Sequence, residues 1–235
     1  MLPVAILAGG TATRLRPISN SVPKSLLTVA GEPFIAHQLR LLQREHVQRV
    51  VLCIGHLGQM IRDFVGDGSC FDLNVAYSFD GSRLMGTGGA LRRALPLLDD
   101  PFFVLYGDSY LDIAFKPVAR AFRRSGAPVL MTVFRNEGRW DTSNVVFDGA
   151  RVVRYDKRAL TPEMHYIDYG LGIFTHAALA ERSPNELFDL AQVYASFADK
   201  GLLAGYEVKQ RFYEIGTPAG LAQTEAYLSK QLSKK

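Results

Sequence analysis

Val4-Ala5-Ile6-Leu7-Ala8-Gly9-Gly10-Thr11-Ala12-Thr13-Arg14-Leu15-Arg16-Pro17 is the stretch whose reading decides the fold class. Its opening residues, Val4 to Leu7, form a short apolar run that predicts a buried strand. Gly9-Gly10 ends the run, and a glycine turn lets backbone N–H groups come close to a chain of phosphates. Arg14, and Lys24 seven residues beyond Pro17, add fixed positive charge to the same loop. A strand that feeds such a loop points to polyphosphate binding. The spacing is not the dinucleotide fingerprint, which needs G-x-G-x-x-G, nor the Walker loop, which needs G-x-x-x-x-G-K-[ST].

Outward from this loop, strands and helices alternate. A helical pattern carries Ile35, Leu39 and Leu42 on one face, and Arg49 to Ile54 reads as a strand. Leu57, Ile61 and Val65 repeat the helical spacing, and Leu73 to Phe79 reads as a further strand. Gly86-Thr87-Gly88-Gly89 opens a helix that runs to Leu97, and the strand Phe102 to Tyr106 stops at Gly107-Asp108. The alternation predicts an α/β fold with a mostly parallel, Rossmann-like sheet, helices on both faces, and ligands at the carboxyl ends of the strands.

Beyond Pro128 the pattern becomes β-rich, with runs at Val129 to Phe134, Asn144 to Phe147 and Val152 to Tyr155. Helical spacing returns at Leu187, Leu190, Ala191, Tyr194 and Ala198, and a helix from about Pro218 to Leu228 closes the chain. With no internal repeat or low-complexity linker, residues 1–235 are expected to form a single domain.

The bulk properties narrow the function. Of 235 residues, 48% are hydrophobic and 21% charged, which suits a chain that buries a full core and excludes a disordered one. The formal charge is +4 and the pI about 9.1, yet the 27 Lys and Arg are spread out, so an anionic small molecule fits and nucleic acid does not. Cys53 lies in an apolar run, and Cys70 has no metal-spaced partner. Two unpaired thiols without an apolar stretch of membrane length point to a cytoplasmic setting with no membrane partner. Of the histidines, His37 and His46 read as helical and no pair has metal-ligand spacing.

The segment Leu7 to Lys24 resembles the signature of sugar-1-phosphate nucleotidylyltransferases, roughly L-A-G-G-x-G-T-R-L-x-P followed by P-K. Ala12 stands where the family usually has a third glycine. The resemblance extends along nearly the whole chain. It implies a nucleotidyltransferase fold of the GT-A type with a β-rich sugar-binding insertion, residues 1–127 forming the nucleotide-binding half and 128–235 the sugar-phosphate-binding half. It implies two partners, a nucleoside triphosphate and a sugar 1-phosphate, with Mg²⁺ as cofactor; homo-oligomerisation is left open.

Residue by residue, the resemblance places the nucleotide on Leu7, Ala8, Gly9, Gly10, Thr11, Ala12, Thr13 and Arg14, and on Gly86, Thr87, Gly88 and Gly89. The second group reads equally, on its own, as a glycine-rich helix start. Arg14, Lys24 and Asp108 would be catalytic: Arg14 on the leaving pyrophosphate, Lys24 on the α-phosphate or the incoming phosphate, Asp108 on the metal. Asp108 also suits a turn or N-cap. Asn144, Lys157, Asp168, Tyr169 and Gly170 fall to the sugar phosphate. Tyr155-Asp156-Lys157 resembles E-K-P with Asp156 for Glu and Arg158 for Pro, so Lys157 reads also as a solvated strand end. Asp168 reads also as a turn carboxylate. Trp140 and Asp141 suit the sugar pocket, as Trp140 suits plain packing.

Tyr213-Glu214-Ile215-Gly216-Thr217-Pro218 resembles the closing W-x-D-I-G-T-P, which makes Glu214 a second metal carboxylate; capping the helix at Pro218 is the other reading. The ending looks most like mannose- or heptose-1-phosphate guanylyltransferases, with muramic acid phosphate uridylyltransferases and cytidylyltransferases as competitors. A catalytically silent nucleotide-sugar-binding homologue is the alternative that Ala12 and Glu214 support. A glycosyltransferase would show Asp-x-Asp, where Asp108-Ser109-Tyr110 offers one carboxylate.

Overall fold

The computed structural model describes residues 1–10, 21–81 and 83–233. The chain runs through β1 (Val4–Leu7), the small hairpin β2 (Thr28–Val29) and β3 (Glu32–Pro33), α1 (Phe34–Arg44), β4 (Arg49–Ile54), α2 (Gly58–Val65), β5 (Asn74–Phe79), α3 (Gly86–Ala94) and β6 (Phe102–Tyr106). It continues through β7 (Ser109–Tyr110), α4 (Phe115–Ser125), β8 (Val129–Arg135), β9 (Val145–Phe147), β10 (Val152–Tyr155), β11 (Tyr166–Phe174), α5 (Ala177–Ala180), α6 (Leu190–Asp199), β12 (Leu203–Val208), β13 (Tyr213–Glu214) and α7 (Pro218–Leu232).

One nine-stranded sheet joins both halves of the chain. The parallel strands β5, β4, β1 and β6 lie side by side, and β11 runs antiparallel along the outer edge of β6. β11 also pairs with β8, which pairs in turn with β12, while β9 and β10 form an antiparallel extension.

The two faces of the sheet are sorted by the period of two along each strand. Val4 and Ile6 of β1 pack with Ile35 and Leu39 of α1, Ile61 of α2 and Phe115 and Val118 of α4. Ala5 points the other way, into a cluster with Leu91 of α3 and Leu190 and Val193 of α6. Each large aliphatic side chain taken fully out of water contributes about 1.5–3 kcal/mol. A smaller cluster of Phe34, Leu41, Tyr110, Ile215 and Leu228 fastens α7 to the outside of α1. Among the described residues no helix is long and apolar enough to cross a membrane.

Three helical expectations fail. Leu57 is not in α2 but precedes it, with φ at +56° in the left-handed region. Leu187 precedes α6 and is 61% exposed, because Asp189 caps that helix by accepting from the Ala191 N–H. His46 lies beyond α1 with φ at +59°, in the turn that reverses the chain into β4.

The irregularity that shapes the molecule's open side is in β11. Its register on β8 shifts between Asp168 and Gly172, and Gly170 sits in the bulge at φ +101°, where a side chain would be strained. Leu171 to Phe174 pair with β6, so Tyr166 to Asp168 overhang the point where β6 ends at Tyr106.

Candidate active site

Two clefts meet at the carboxyl ends of β1 and β6, where an open α/β sheet leaves room for ligands. The first is lined by Leu7, Ala8, Gly9 and Gly10 at the end of β1 and by Leu84, Gly86 and Thr87 around the start of α3, together with Cys53 and Asp80. The second lies under the β11 overhang and is lined by Asn144, Lys157, Asp168, Gly170 and Glu214, among others. Tyr106 and Asp108 belong to both.

Asp108 is held there by its neighbours. The fully buried Gln38 of α1 donates from Nε2 to the Tyr106 carbonyl at 3.0 Å and to the Ser109 carbonyl at 2.8 Å, which fixes the turn after β6. Ile215 N–H donates to the Asp108 carbonyl at 3.0 Å, and β13 pairs with β7 so that Glu214 faces Ser109. Lys24, on a single 3-10 turn (Lys24–Leu26), puts Nζ 2.8 Å from Asp108 Oδ2. Lys24, Asp108 and Glu214 therefore meet, although 190 positions separate Lys24 from Glu214 in the numbering.

Gly216 lies beside all three of these side chains. A Cβ there would stand 2.6 Å from Glu214 Oε2, 3.1 Å from Lys24 Nζ and 3.6 Å from Asp108 Oδ2. Two neighbouring carboxylates are hard-oxygen donors of the kind Mg²⁺ takes when phosphate and water complete its shell. Among the described residues no group of three or more His, Cys, Asp or Glu gathers, so a dedicated all-protein cage is not what these residues build. Glu214 is also engaged at the helix start: it accepts from Gly216 N–H and, at 2.6 Å, from the Thr217 hydroxyl. The cap of α7 is Thr217, whose hydroxyl oxygen accepts from the Gly220 N–H at 3.0 Å, so Glu214 does not cap the helix itself but holds the residue that does.

In the second cleft, burial raises the pKa of Asp168, and the nearby Lys157 ammonium, the Gly170 N–H at 3.0 Å and the Tyr155 hydroxyl oppose the rise. Asn144 accepts from the Asp168 N–H at 3.2 Å, so it braces the overhang. Tyr169 borders the cleft, but alternation along β11 turns its ring into the core against Phe134 and Phe212. The half-buried Asp156 carboxylate accepts from the N–H groups of Ala159 and Arg158, which hold its pKa down.

Arg14, Thr11, Ala12 and Thr13 lie outside the described residues. Of the glycine group, Gly86 and Thr87 line the first cleft, whereas Gly88 and Gly89 do not. Their N–H groups donate to the Phe188 carbonyl at 3.0 and 3.2 Å, and a Cβ on either would overlap the segment from Glu186 to Leu190. They are glycine because another part of the chain lies against them.

Sequence reasoning passed over three residues of this region. Gln38 is polar on an apolar helix, the one available signal of its anchoring role. Asp80 is 5% exposed, and burial raises its pKa while the Met85 N–H at 3.2 Å opposes the rise. Ser25 is buried in the first cleft, and its hydroxyl has no partner among the described residues. Cys53 reaches the same cleft, but burial pushes its thiol up to about 12, which removes it as a nucleophile.

The model of the nucleotidyl transferase family matches residues 4–211. The chain is similar to the N-acetylmuramate alpha-1-phosphate uridylyltransferase of Neisseria meningitidis serogroup B, 41% identical over 111 residues, 47% of this chain and 48% of that protein. It is 28% identical over 219 residues to the mannose-1-phosphate guanylyltransferase catalytic subunit beta of Xenopus tropicalis, covering 91% of this chain and 61% of the relative. The chain thus spans about half the length of the curated relatives it matches. The fold is that of HddC from Yersinia pseudotuberculosis complexed with GMP-PN, with a TM-score of 0.83 at 21% identity over 97% of this chain and 100% of that one.

Proposed function

We propose that this chain, which belongs to the nucleotidyl transferase family, condenses a nucleoside triphosphate with a sugar 1-phosphate to give a nucleotide sugar and pyrophosphate. The observation that carries the reading is the Lys24–Asp108 pair at the point shared by two clefts. An enzyme that joins two anions must bring them end to end and neutralise them where they touch.

The first cleft would take the nucleotide and the second the sugar phosphate, which makes residues 1–127 the nucleotide half and 128–235 the sugar half. An oxygen of the sugar phosphate attacks the α-phosphorus in line, and the bond to the departing pyrophosphate breaks. Both reactants arrive with their charge in place, so no side-chain nucleophile is needed. Lys24 exchanges Asp108 for a phosphate oxygen as the anions enter, and Arg14 stabilises the leaving pyrophosphate. Lys157 holds the sugar phosphate under the overhang, and Asp168 accepts from a sugar hydroxyl.

Asp108 and Glu214 would hold Mg²⁺. When bound, the ion supplies neutralisation of charge on the phosphate oxygens. Glu214 serves a second purpose in this reading, because its bonds to Gly216 and Thr217 keep β13 and the start of α7 in register with Asp108.

The test is pyrophosphate release with Mg²⁺ across triphosphates and sugar 1-phosphates. Since the relatives are a uridylyltransferase and a guanylyltransferase, UTP and GTP are paired first with N-acetylmuramate 1-phosphate and mannose 1-phosphate. Turnover of a pair supports the reading. Tight binding of nucleotide sugars without pyrophosphate release from any pair would leave the silent homologue instead.

A further inference from the structure

Trp140 is the only tryptophan in the chain, and it is 44% exposed. It belongs to the loop 136–143 between β8 and β9 and lines the second cleft. The loop is firmly built: Asn136 is fully buried, accepts from the Trp140 N–H at 3.1 Å and donates to the Ser143 hydroxyl at 3.2 Å and to the Asp141 carbonyl. The exposure of the indole therefore belongs to a backbone that is held in place.

Behind the indole stands a stack of planar groups. The Arg211 guanidinium lies 3.7 Å from the Trp140 ring centroid and 4.5 Å from that of Tyr213. Tyr213 in turn stacks on Tyr227 of α7, with centroids 3.9 Å apart and planes 19° apart. Arg211 cannot turn freely, because Nη2 donates to Gln223 Oε1 at 2.8 Å and Nε to the Phe212 carbonyl at 3.2 Å. Packing of this kind on an aromatic ring holds the indole in place where it lines the second cleft.

We propose that Trp140 is the platform for the sugar ring of the acceptor, and that Arg211 is the positioning residue that braces it. The inference rests on the reading of the second cleft as the sugar-phosphate site. A pyranose has a flat face of C–H groups, and laying that face on an indole removes apolar area from water on both sides. The hydroxyls, which project from the ring edge, are left for Asp168. The ligand class this selects is a pyranosyl phosphate; inorganic phosphate and an acyclic polyol phosphate have no such face.

The chain reports on this site directly, because its tryptophan emission comes from one residue. Titration with the sugar 1-phosphate that supports turnover is expected to change the emission and saturate, while inorganic phosphate, glycerol phosphate and the triphosphate alone leave it unchanged. Trp140→Ala is expected to raise KM for the sugar phosphate about tenfold, the equivalent of ~1.4 kcal/mol of binding, with kcat and the triphosphate KM held. Trp140→Phe restores most of that loss. Arg211→Met is expected to shift the emission and raise the same KM, again without touching the triphosphate. An unchanged sugar KM in Trp140→Ala, an equal loss for both substrates, or an emission change produced by inorganic phosphate would overturn the proposal. Absence of turnover with every pair would defeat the reaction instead. The emission titration with the sugar 1-phosphates then still decides the platform, since silence with all of them refutes it.

Discussion

Lys24 and Asp168 show how single charges are set by what surrounds them. Among the described residues Lys24 pairs with Asp108, and its side chain is 17% exposed on a short turn outside the apolar clusters. Lys24→Ala is therefore expected to lower kcat by about 10²–10³-fold, the cost of removing one preorganised electrostatic contact, while circular dichroism and melting remain near those of the parent. A variant with parental kcat would take Lys24 out of the reaction. Asp168 has the opposite problem, since burial raises its pKa against the pull of Lys157. A carboxyl whose folded pKa lies above its unfolded value binds more protons in the native state across that interval, so stability falls as pH rises through it. The penalty is absent below the unfolded pKa and complete above the folded one. Asp168→Asn is accordingly expected to melt higher than the parent at pH 7, with the difference closing as pH falls below the ordinary carboxylate range. It should also raise KM for the sugar phosphate. Thermal melts from pH 4 to 8 decide this; an Asn variant that is less stable at every pH contradicts it.

At the scale of elements, the glycine group at the start of α3 marks where sequence reading stops. Gly86-Thr87-Gly88-Gly89 reads as a base-side loop, and Gly86 and Thr87 do line the first cleft. The reason for Gly88 and Gly89 lies a hundred positions away, in the loop before α6, whose residues show no period that would announce a partner. Thr87 is drawn into the same joint, donating to Asp189 at 3.0 Å and accepting from the Leu190 N–H at 2.9 Å. Gly88→Ala is expected to force the Phe188 ring aside and cost about 1–3 kcal/mol, as overpacking does. That would appear as a lower melting point with α3 still helical; an unchanged melt would mean the α3–α6 joint yields freely. Elsewhere the elements were legible to different degrees. β1, β4 and β6 are strands at the boundaries their apolar runs predict. α4 shows Phe115, Val118, Ala119 and Phe122 at helical spacing, yet Pro117 in its first turn interrupts the eye. β12 is harder, because Gly205 in its middle weakens the strand pattern. That glycine is there for contact, since a Cβ would overlap the Phe147 ring of β9. Patterns within one element are visible in sequence, whereas a residue chosen for a neighbour on another element is not.

At the scale of the whole molecule, the two clefts are sorted by chain position. The first cleft is lined from Leu7 to Asp108 and the second from Tyr106 to Thr217, and they share the end of β6. The sheet makes this possible: β6 is the outer parallel strand, and β11 runs antiparallel along its far edge, so one strand end faces both sets of loops. The segments Leu7 to Lys24 and Tyr213 to Pro218 stand out in the sequence, and Lys24 and Glu214 do lie near Asp108, but the overhang of β11 was not legible, because a bulge at Gly170 leaves no periodic trace. If the two clefts hold different reactants, their affinities should separate by variant. A ligand that binds only the folded chain stabilises it by about 2.7 kcal/mol at a hundredfold excess over Kd. For a chain of this size that is worth an upward shift of about 2–4 °C per kcal/mol, well within thermal-shift resolution. Lys157→Ala is expected to lose the shift given by sugar phosphate and keep that given by triphosphate with Mg²⁺. Leu84→Ala, which trims a wall of the first cleft, should do the reverse. Asp108→Asn should weaken both, because Asp108 lines both clefts and pairs with Lys24. The decisive comparison is between Lys157→Ala and Leu84→Ala. Parallel losses for both ligands in both variants would mean that the clefts act as one undivided site, and the assignment of residues 1–127 to the nucleotide and 128–235 to the sugar would have to be given up.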